Sequence, residues 1–408
     1  MYRYTFIFII GAIIPCCTMP LQKDPQQVHA TIIIHGTVGL KANVNLATFI
    51  RIIENNLEQS SYKSIVKIIR DDPFFYQFQA MQQVGLCKIA PLACASKSEM
   101  ASSLFATLIE KISPTKSDDV SLYYTFGWSG LMSVTERYAD AQCLYTSVRN
   151  EYYRLQKQYP QADITFTIIG YSHGGSLALY LGEIRDTECP GDIFDIDELI
   201  LIGMPIQIET DYLVQSPIFN KVYHFYSRKD SIQTLDFLST YKLSRRRFKN
   251  KSNLTLPKKL VQVELRIKMP VRNKPCSTKL RVDRSPNHFE LWFFGWFPTT
   301  SYHKFFPLYP LPTIVFVPAL IDHMQRCTPD EHNLVVELRP TQGTATIRKR
   351  HHQKPIHCFD WITPESLQHL QQFALDYAPT DVNPKIHHEH VQDAIHSVTC
   401  CQCAKMKS

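Results

Sequence analysis

An apolar segment that runs directly into a glycine-flanked serine constrains this chain more than any other feature. Residues 163–169 have the composition of a buried parallel strand, and residues 170–174 read Gly-Tyr-Ser-His-Gly. Small, helix-compatible residues follow at once. So tight a turn needs glycines beside the serine, because a Cβ there would collide with neighbouring backbone. The sequence therefore predicts a strand–turn–helix unit that lifts the Ser172 hydroxyl clear of a sheet.

The segments around this unit alternate between strand-like and helix-like patterns. Further apolar strands are predicted at residues 28–34, 120–127, 197–205 and 221–227, and a long helix at 136–159. Such alternation predicts an α/β fold with a mostly parallel central sheet and helices on both faces. Residues 259–267 alternate apolar and charged side chains, which is typical of an edge strand.

The 408 residues accommodate one large α/β domain with an appendage. We assign residues 28–330 to the domain and 331–377, with two short strands and a helix, to a small C-terminal appendage. Residues 378–408 form a tail rich in His, Cys and Lys. After the first strand, a helix is predicted within 44–70. Residues 71–120 are then interpreted as a helical insertion, either a cap or lid or a fixed peripheral layer.

The first 18 residues have the pattern of a signal peptide. A short basic start precedes an apolar run from Tyr4 to Ile14, which is too short to span a bilayer. We therefore expect an exported protein, either secreted, periplasmic or membrane-associated. The alternative is a buried N-terminal strand.

The chain contains 12 cysteines, which is many for a cytosolic protein. With an export signal some disulfides are expected, and Cys87 and Cys94 could close a short loop. The tail carries a further group, Cys400, Cys401 and Cys403, without a matching second group.

Charge patterning does not point to nucleic acid. The formal net charge is +7, and the densest basic segment, residues 244–249, is interpreted as a solvated face. No nucleic-acid-binding module is recognisable. Several late histidines are interpreted as solvated rather than metal-binding: His351, His352, His387, His388 and His390.

A serine hydroxyl becomes a nucleophile only with a base to take its proton and a third group to orient that base. At a turn of this kind the chain order is serine, then Asp or Glu, then His. Asp230 follows an apolar strand by a few residues and is preferred over Asp236 as the acid; a helix cap is its structural alternative. His288, in a polar loop after the last clear strand, is preferred over His303 and His323 as the base.

Two backbone positions are candidates for stabilising a developing oxyanion. The N–H of His173, directly after the serine, is the first. The second lies in the glycine-containing loop after the first strand, at Gly36 or Thr37. An ordinary turn is the alternative for that loop.

Together, the loop at 35–37, the motif at 170–175, Asp230 and His288 resemble the α/β-hydrolase superfamily, on its lipase- and esterase-like side, over residues 28–330. The resemblance implies an α/β-hydrolase fold in which Ser172 attacks an acyl carbonyl. It further implies that His288 shuttles the proton, that Asp230 holds the imidazolium, and that no cofactor or metal is required. Tyr171 and His173 depart from the residues common in that family.

The resemblance implies a serine hydrolase that cleaves carboxylic esters, with lipid esters and contact with a membrane surface as further expectations. Residues 289–297, with Phe305 and Phe306, could line an acyl pocket or belong to the ordinary core. Acyl transfer by the same triad and a catalytically silent binding protein are the alternatives.

Overall fold

The computed structural model describes residues 26–38, 61–113, 118–235, 244–251, 255–270, 281–297 and 304–380, with the single residues 389, 393 and 396. The strands are β1 (Gln27–Ile34), β2 (Gly85–Lys88), β3 (Val120–Gly127), β4 (Asp163–Tyr171), β5 (Ile196–Ile202), β6 (Phe219–Tyr226), β7 (Leu260–Pro270), β8 (Arg281–Asp283), β9 (Asn333–Arg339), β10 (Thr344–Lys349) and β11 (His357–Asp360). The helices are α1 (Ser61–Asp71), α2 (Met100–Ile112), α3 (Val134–Gln158), α4 (His173–Thr187), α5 (Ile232–Leu235), α6 (His288–Trp292), α7 (Val317–Cys327) and α8 (Pro364–Asp376).

Several sequence predictions fall outside the described residues. These are the signal peptide at 1–18, the helix expected over 44–60, the alternative acid Asp236, the alternative base His303 and most of the tail. Among the residues that are described, no helix is both long and apolar enough to cross a membrane.

The protein is built on a mixed, mostly parallel sheet with interspersed helices. Ten strands lie in the order β11-β10-β9-β7-β6-β5-β4-β1-β3-β2, and β8 pairs antiparallel with β7. All neighbours from β9 to β3 are parallel. The antiparallel pairs lie at the two ends, where β2 joins β3 and the hairpin of β10 and β11 extends β9.

Both faces of the sheet are covered, as the apolar strands predict. Ile168 of β4 belongs to a core formed with α3 and α4, whereas the next residue, Ile169, belongs to a core formed with α2, α7 and α8. Alternate side chains of a strand point to opposite faces, so the near-continuous apolar runs reflect burial on two sides.

Two predictions for the later strands of the chain are wrong. The segment interpreted as an edge strand, β7, lies between β6 and β9. Its charged residues are accommodated in ion pairs, since Glu264 accepts from Arg228 at 2.8 Å and from Arg266 at 2.5 Å.

Residues 331–377 are not a separate appendage. They form β9, β10, β11 and α8, which continue the sheet and share its core. The edge was misplaced because β9 is parallel to β7 and is reached only through a long connection, which local patterns do not reveal.

The insertion at 71–120 contains a strand as well as helices. β2 pairs with β3, and α2 is packed into the main core, where the Phe105 ring lies 5.8 Å from that of Trp292. In this arrangement α2 packs as a layer against the main core. Cys87 and Cys94 within this insertion are both free thiols, so the expected loop-closing disulfide is absent between them.

Candidate active site

Ser172 is the single residue between β4 and α4 and has a strained backbone. Its φ is 51° and its ψ is −128°, and among the described residues no other non-glycine residue has a positive φ. Such a conformation costs about 1–3 kcal/mol and persists only where the surroundings enforce it. One such restraint is the bond from the Ser172 N–H to the Ile202 carbonyl, at 2.9 Å.

The two glycines that flank the serine are required by close backbone contacts. A Cβ on Gly170 would lie 2.6 Å from Cα of Gly175, and one on Gly174 would lie 2.3 Å from the carbonyl oxygen of His35. Both distances are far below van der Waals contact. The structure thus supplies the steric reason that the sequence suggested for this turn.

The structure brings Ser172, His288 and Asp230 into one hydrogen-bonded chain. The Ser172 hydroxyl lies 3.1 Å from Nε2 of His288, and Nδ1 of His288 lies 2.8 Å from Oδ2 of Asp230. The three residues are 5%, 4% and 0% exposed. The hydroxyl, the imidazole and the carboxylate are thereby held at separations that allow proton transfer.

Asp230 contacts both His288 and the start of a short helix. Its Oδ1 accepts from the Gln233 N–H at 3.3 Å, near the start of α5, while Oδ2 faces His288. Its backbone carbonyl accepts from Nε of Arg246 at 2.9 Å. The basic segment at 244–249 is therefore not simply a solvated face, because one of its arginines fixes the loop that carries the acid.

Gly203, which directly follows β5, was not singled out from the sequence. Its φ is +58°, and a Cβ there would lie 3.1 Å from Oδ2 of Asp230 and 3.5 Å from Nδ1 of His288. A larger residue would intrude on the contact between acid and base. A glycine directly after a buried strand is the only sequence signal for this role.

His288 is the first residue of α6 and is held by the capping of that short helix. The Asn287 side chain accepts from the Glu290 N–H at 3.0 Å, and the Glu290 carboxylate accepts from the Asn287 N–H at 2.8 Å. Burial raises the pKa of Glu290 to about 7. In addition, the Tyr171 hydroxyl donates to the His288 carbonyl at 2.9 Å.

The loop after β1 lies against the serine. A Cβ on Gly36 would lie 2.9 Å from Cδ1 of Tyr171 and 3.0 Å from Cβ of Ser172, so only glycine fits there. Thr37 follows, and its buried hydroxyl has no hydrogen-bond partner among the residues that the structure describes. The structure therefore brings both candidate oxyanion positions, this loop and His173, beside Ser172.

His35 fixes this loop rather than joining the triad. The backbone N–H of Trp128 donates to Nε2 of His35 at 3.3 Å. Nδ1 of His35 therefore carries the proton and donates to the Gly36 carbonyl at 2.7 Å. Burial, and next the positive charge of Arg70, lower the pKa of His35 well below its usual value. The neutral ring is the form that can make both bonds.

The side chain of His173 points to a buried arginine. Arg137 donates from Nη1 to Nδ1 of His173 at 2.8 Å and to the Gln207 side chain at 3.2 Å. Because a guanidinium can only donate, Nδ1 of His173 must be the unprotonated nitrogen. This contact locks the first turn of α4, whose initial N–H is the predicted oxyanion donor.

Other sequence candidates lie elsewhere. His323 is on α7 beside Phe359 and does not contact the triad residues. His351 and His352 are exposed. A cavity of about 330 Å³ is present, but its lining, which includes Gln77, Trp296 and Tyr377, contains none of the triad residues.

Comparisons with known proteins do not assign a family. No family model matches the chain, and no curated protein matches it. Among solved structures, the crystal structure of the gene lin2722 products from Listeria innocua is similar at 11% identity, covering 52% of this chain and 79% of that chain with a TM-score of 0.23.

Proposed function

We propose that the protein is a serine hydrolase of the α/β-hydrolase type that cleaves carboxylic esters. The observation that carries this proposal is the hydrogen-bonded chain from Ser172 through His288 to Asp230, on a serine held in a strained turn. Its members follow three different strands of one sheet. A strained serine backbone and side chains that meet from separate strands are typical of a site that exposes a nucleophile to substrate.

The reaction proceeds through an acyl-enzyme. Oγ of Ser172 attacks the ester carbonyl while Nε2 of His288 takes the hydroxyl proton. The imidazolium, stabilised by Asp230, then gives that proton to the leaving alkoxide, and the alcohol departs. Water, deprotonated by His288, attacks the acyl carbon, and the serine leaves as the hydroxyl with the returned proton.

The charge that develops on the carbonyl oxygen needs donors beside Ser172. The backbone N–H of His173 and that of Gly36 or Thr37 are proposed as these donors. The Thr37 hydroxyl is a further candidate, since it is buried in the same loop with no partner in the described part of the chain. An unsatisfied buried hydroxyl costs about 1–3 kcal/mol, which a bound oxyanion would recover.

A row of half-buried aromatic rings supports a substrate that carries an apolar acyl group. We define the aromatic row as Phe289, Phe293 and Phe297, and the ring centroids of Phe293 and Phe297 lie 4.3 Å apart. The row begins beside the base, since the ring centroids of Phe289 and His288 are 6.2 Å apart. Their neighbours Leu291, Trp292 and Phe294 are fully buried in the core.

The proposal is tested with p-nitrophenyl esters of increasing acyl length, assayed in detergent. Wild type should hydrolyse them, and Phe293→Ala should lose the preference for longer chains. Phe305→Ala, which changes a 73% exposed phenylalanine outside the row, is the control. Turnover that needs an added alcohol would indicate acyl transfer. Absence of any turnover with folded protein would favour the binding-protein alternative.

A further inference from the structure

We propose that His323, Cys327 and His357 form a binding site for Zn²⁺, separate from the serine site. His323 and Cys327 lie on α7, and His357 is the first residue of the end strand β11. One potential ligand atom from each residue lies within 4.8 Å of the other two. Two imidazoles and a thiolate are ligands that Zn²⁺ prefers.

The two helical ligands already have the spacing of a coordinated pair. Residues four apart on a helix lie on the same face, and Sγ of Cys327 is 3.5 Å from Nε2 of His323. A tetrahedral centre with Zn–N of about 2.0–2.1 Å and Zn–S of about 2.3 Å separates its N and S ligands by about 3.6 Å. The pair therefore needs almost no movement to bind the metal.

The third ligand is held beside the pair by stacked rings. The ring centroid of His357 lies 5.2 Å from that of His323. The Phe359 ring stacks on His323 with centroids 3.6 Å apart and planes 22° apart, which fixes the imidazole plane. A rotation of the His357 side chain closes the set, and a water molecule would occupy the fourth position.

Two charged neighbours on α7 are exposed and engage each other. Asp322 and Arg326 pair with each other and are 61% and 65% exposed. Cys358 follows His357 on the strand, so its side chain points to the other face. Cys358 is exposed and is a matched control for the cysteine ligand.

Binding would tie α7 to the last strand of the described sheet, because β11 pairs only with β10 there. Zn²⁺ binding to Cys327 releases the thiol proton, so no oxidant or other reactant is needed. A ligand that binds only the folded state raises stability in proportion to its occupancy. The metal should therefore raise the melting temperature.

The test uses the full chain, treated with a chelator and titrated with Zn²⁺ and with Co²⁺. Wild type and Cys358→Ser should show a thiolate-to-Co²⁺ charge-transfer band and a rise in melting temperature with Zn²⁺. Cys327→Ser should bind one metal ion fewer, and its charge-transfer band should be weaker than that of wild type. Any binding that remains at the site should be more than about tenfold weaker. The conservative size of this substitution keeps the fold, which circular dichroism without metal verifies.

The tail cysteines and histidines can bind metal too, so the decisive quantity is the difference between the two serine variants. Equal stoichiometry and equal Co²⁺ spectra for Cys327→Ser and Cys358→Ser would overturn the proposal. His357→Gln provides a second, independent variant and should behave like Cys327→Ser. These measurements do not depend on the role of Ser172.

Discussion

The rings of Tyr171 and Trp292 stack almost in parallel, with centroids 4.7 Å apart and planes 7° apart. Tyr171 immediately precedes Ser172, and Trp292 ends the helix that His288 begins. The stack therefore joins the strand that leads into Ser172 to the helix that His288 begins. The bond from the Tyr171 hydroxyl to the His288 carbonyl reinforces this connection.

Tyr171→Phe keeps the stack and removes only that hydrogen bond. One bond of this kind is worth about 1 kcal/mol, so we expect kcat for an ester to fall about fivefold with KM little changed. Tyr145→Phe is the control, because it loses a bond of similar length, to Asp192 at 2.8 Å, outside the triad. Equal kcat for both variants would show that Tyr171 does not position His288.

Asp230→Asn tests the orienting acid. The amide has the same size as the carboxylate but cannot stabilise the imidazolium, so kcat should fall by about 10³- to 10⁴-fold. Asp211→Asn alters another buried aspartate, whose partner is Lys251 at 2.6 Å, and should leave kcat nearly unchanged. A loss below about tenfold for Asp230→Asn would remove this residue from the mechanism.

Gly36→Ala tests the loop beside the serine. The added methyl group would lie 2.9 Å from the Tyr171 ring, so the loop must retreat and its N–H groups with it. Loss of one oxyanion donor costs about 10²- to 10³-fold in kcat. At Gly191 a methyl group would meet nothing within 4 Å, and Gly191→Ala should retain full activity.

Much of this site follows from local sequence. The serine turn was recognisable because Gly-x-Ser-x-Gly directly follows an apolar strand, although the contact that requires Gly174 is with His35 after β1. Chain order pointed to Asp230 and His288. Ser172 and Asp230 follow parallel strands, whose carboxyl ends lie at one edge of the sheet. His288 instead follows β8, which is antiparallel to β7. Gly203 and the stack of Tyr171 on Trp292 were not predictable, because they depend on distant segments meeting.

The outer strands also show that local sequence does not reveal which distant segments pair in the fold. β7 has the alternating pattern of an edge strand, yet Glu264 is buried against arginines and β9 covers the other side of β7. Likewise, His323 and Cys327 are one helical turn apart, but nothing in the sequence places His357 beside them. In both cases the position of the residues depends on contacts between segments that are distant in the chain.

Glu290 should make stability depend on pH. Burial raises the pKa of this carboxyl from 4.5 to about 7, so the folded state holds the proton more tightly than the unfolded state. The stabilisation of the folded state by protonated Glu290 is fully present below about pH 4.5. It is lost as pH rises through 7.

Relative to Glu290→Gln, which does not titrate, wild type should lose about 1–3 kcal/mol in free energy of unfolding between pH 5 and 8. Urea denaturation of both proteins at each pH measures this difference. If the stability of wild type relative to Glu290→Gln stays constant or rises between pH 5 and 8, the assignment is contradicted.

The most direct measurement of the central claim is labelling with a fluorophosphonate probe, which reacts with activated serines. Wild type should be labelled, and Ser172→Ala should not. Ser176→Ala removes another buried hydroxyl one turn along α4 and should label as wild type does. Labelling that survives in Ser172→Ala, or folded wild type that fails to label in detergent, would contradict the claim that Ser172 is an activated nucleophile.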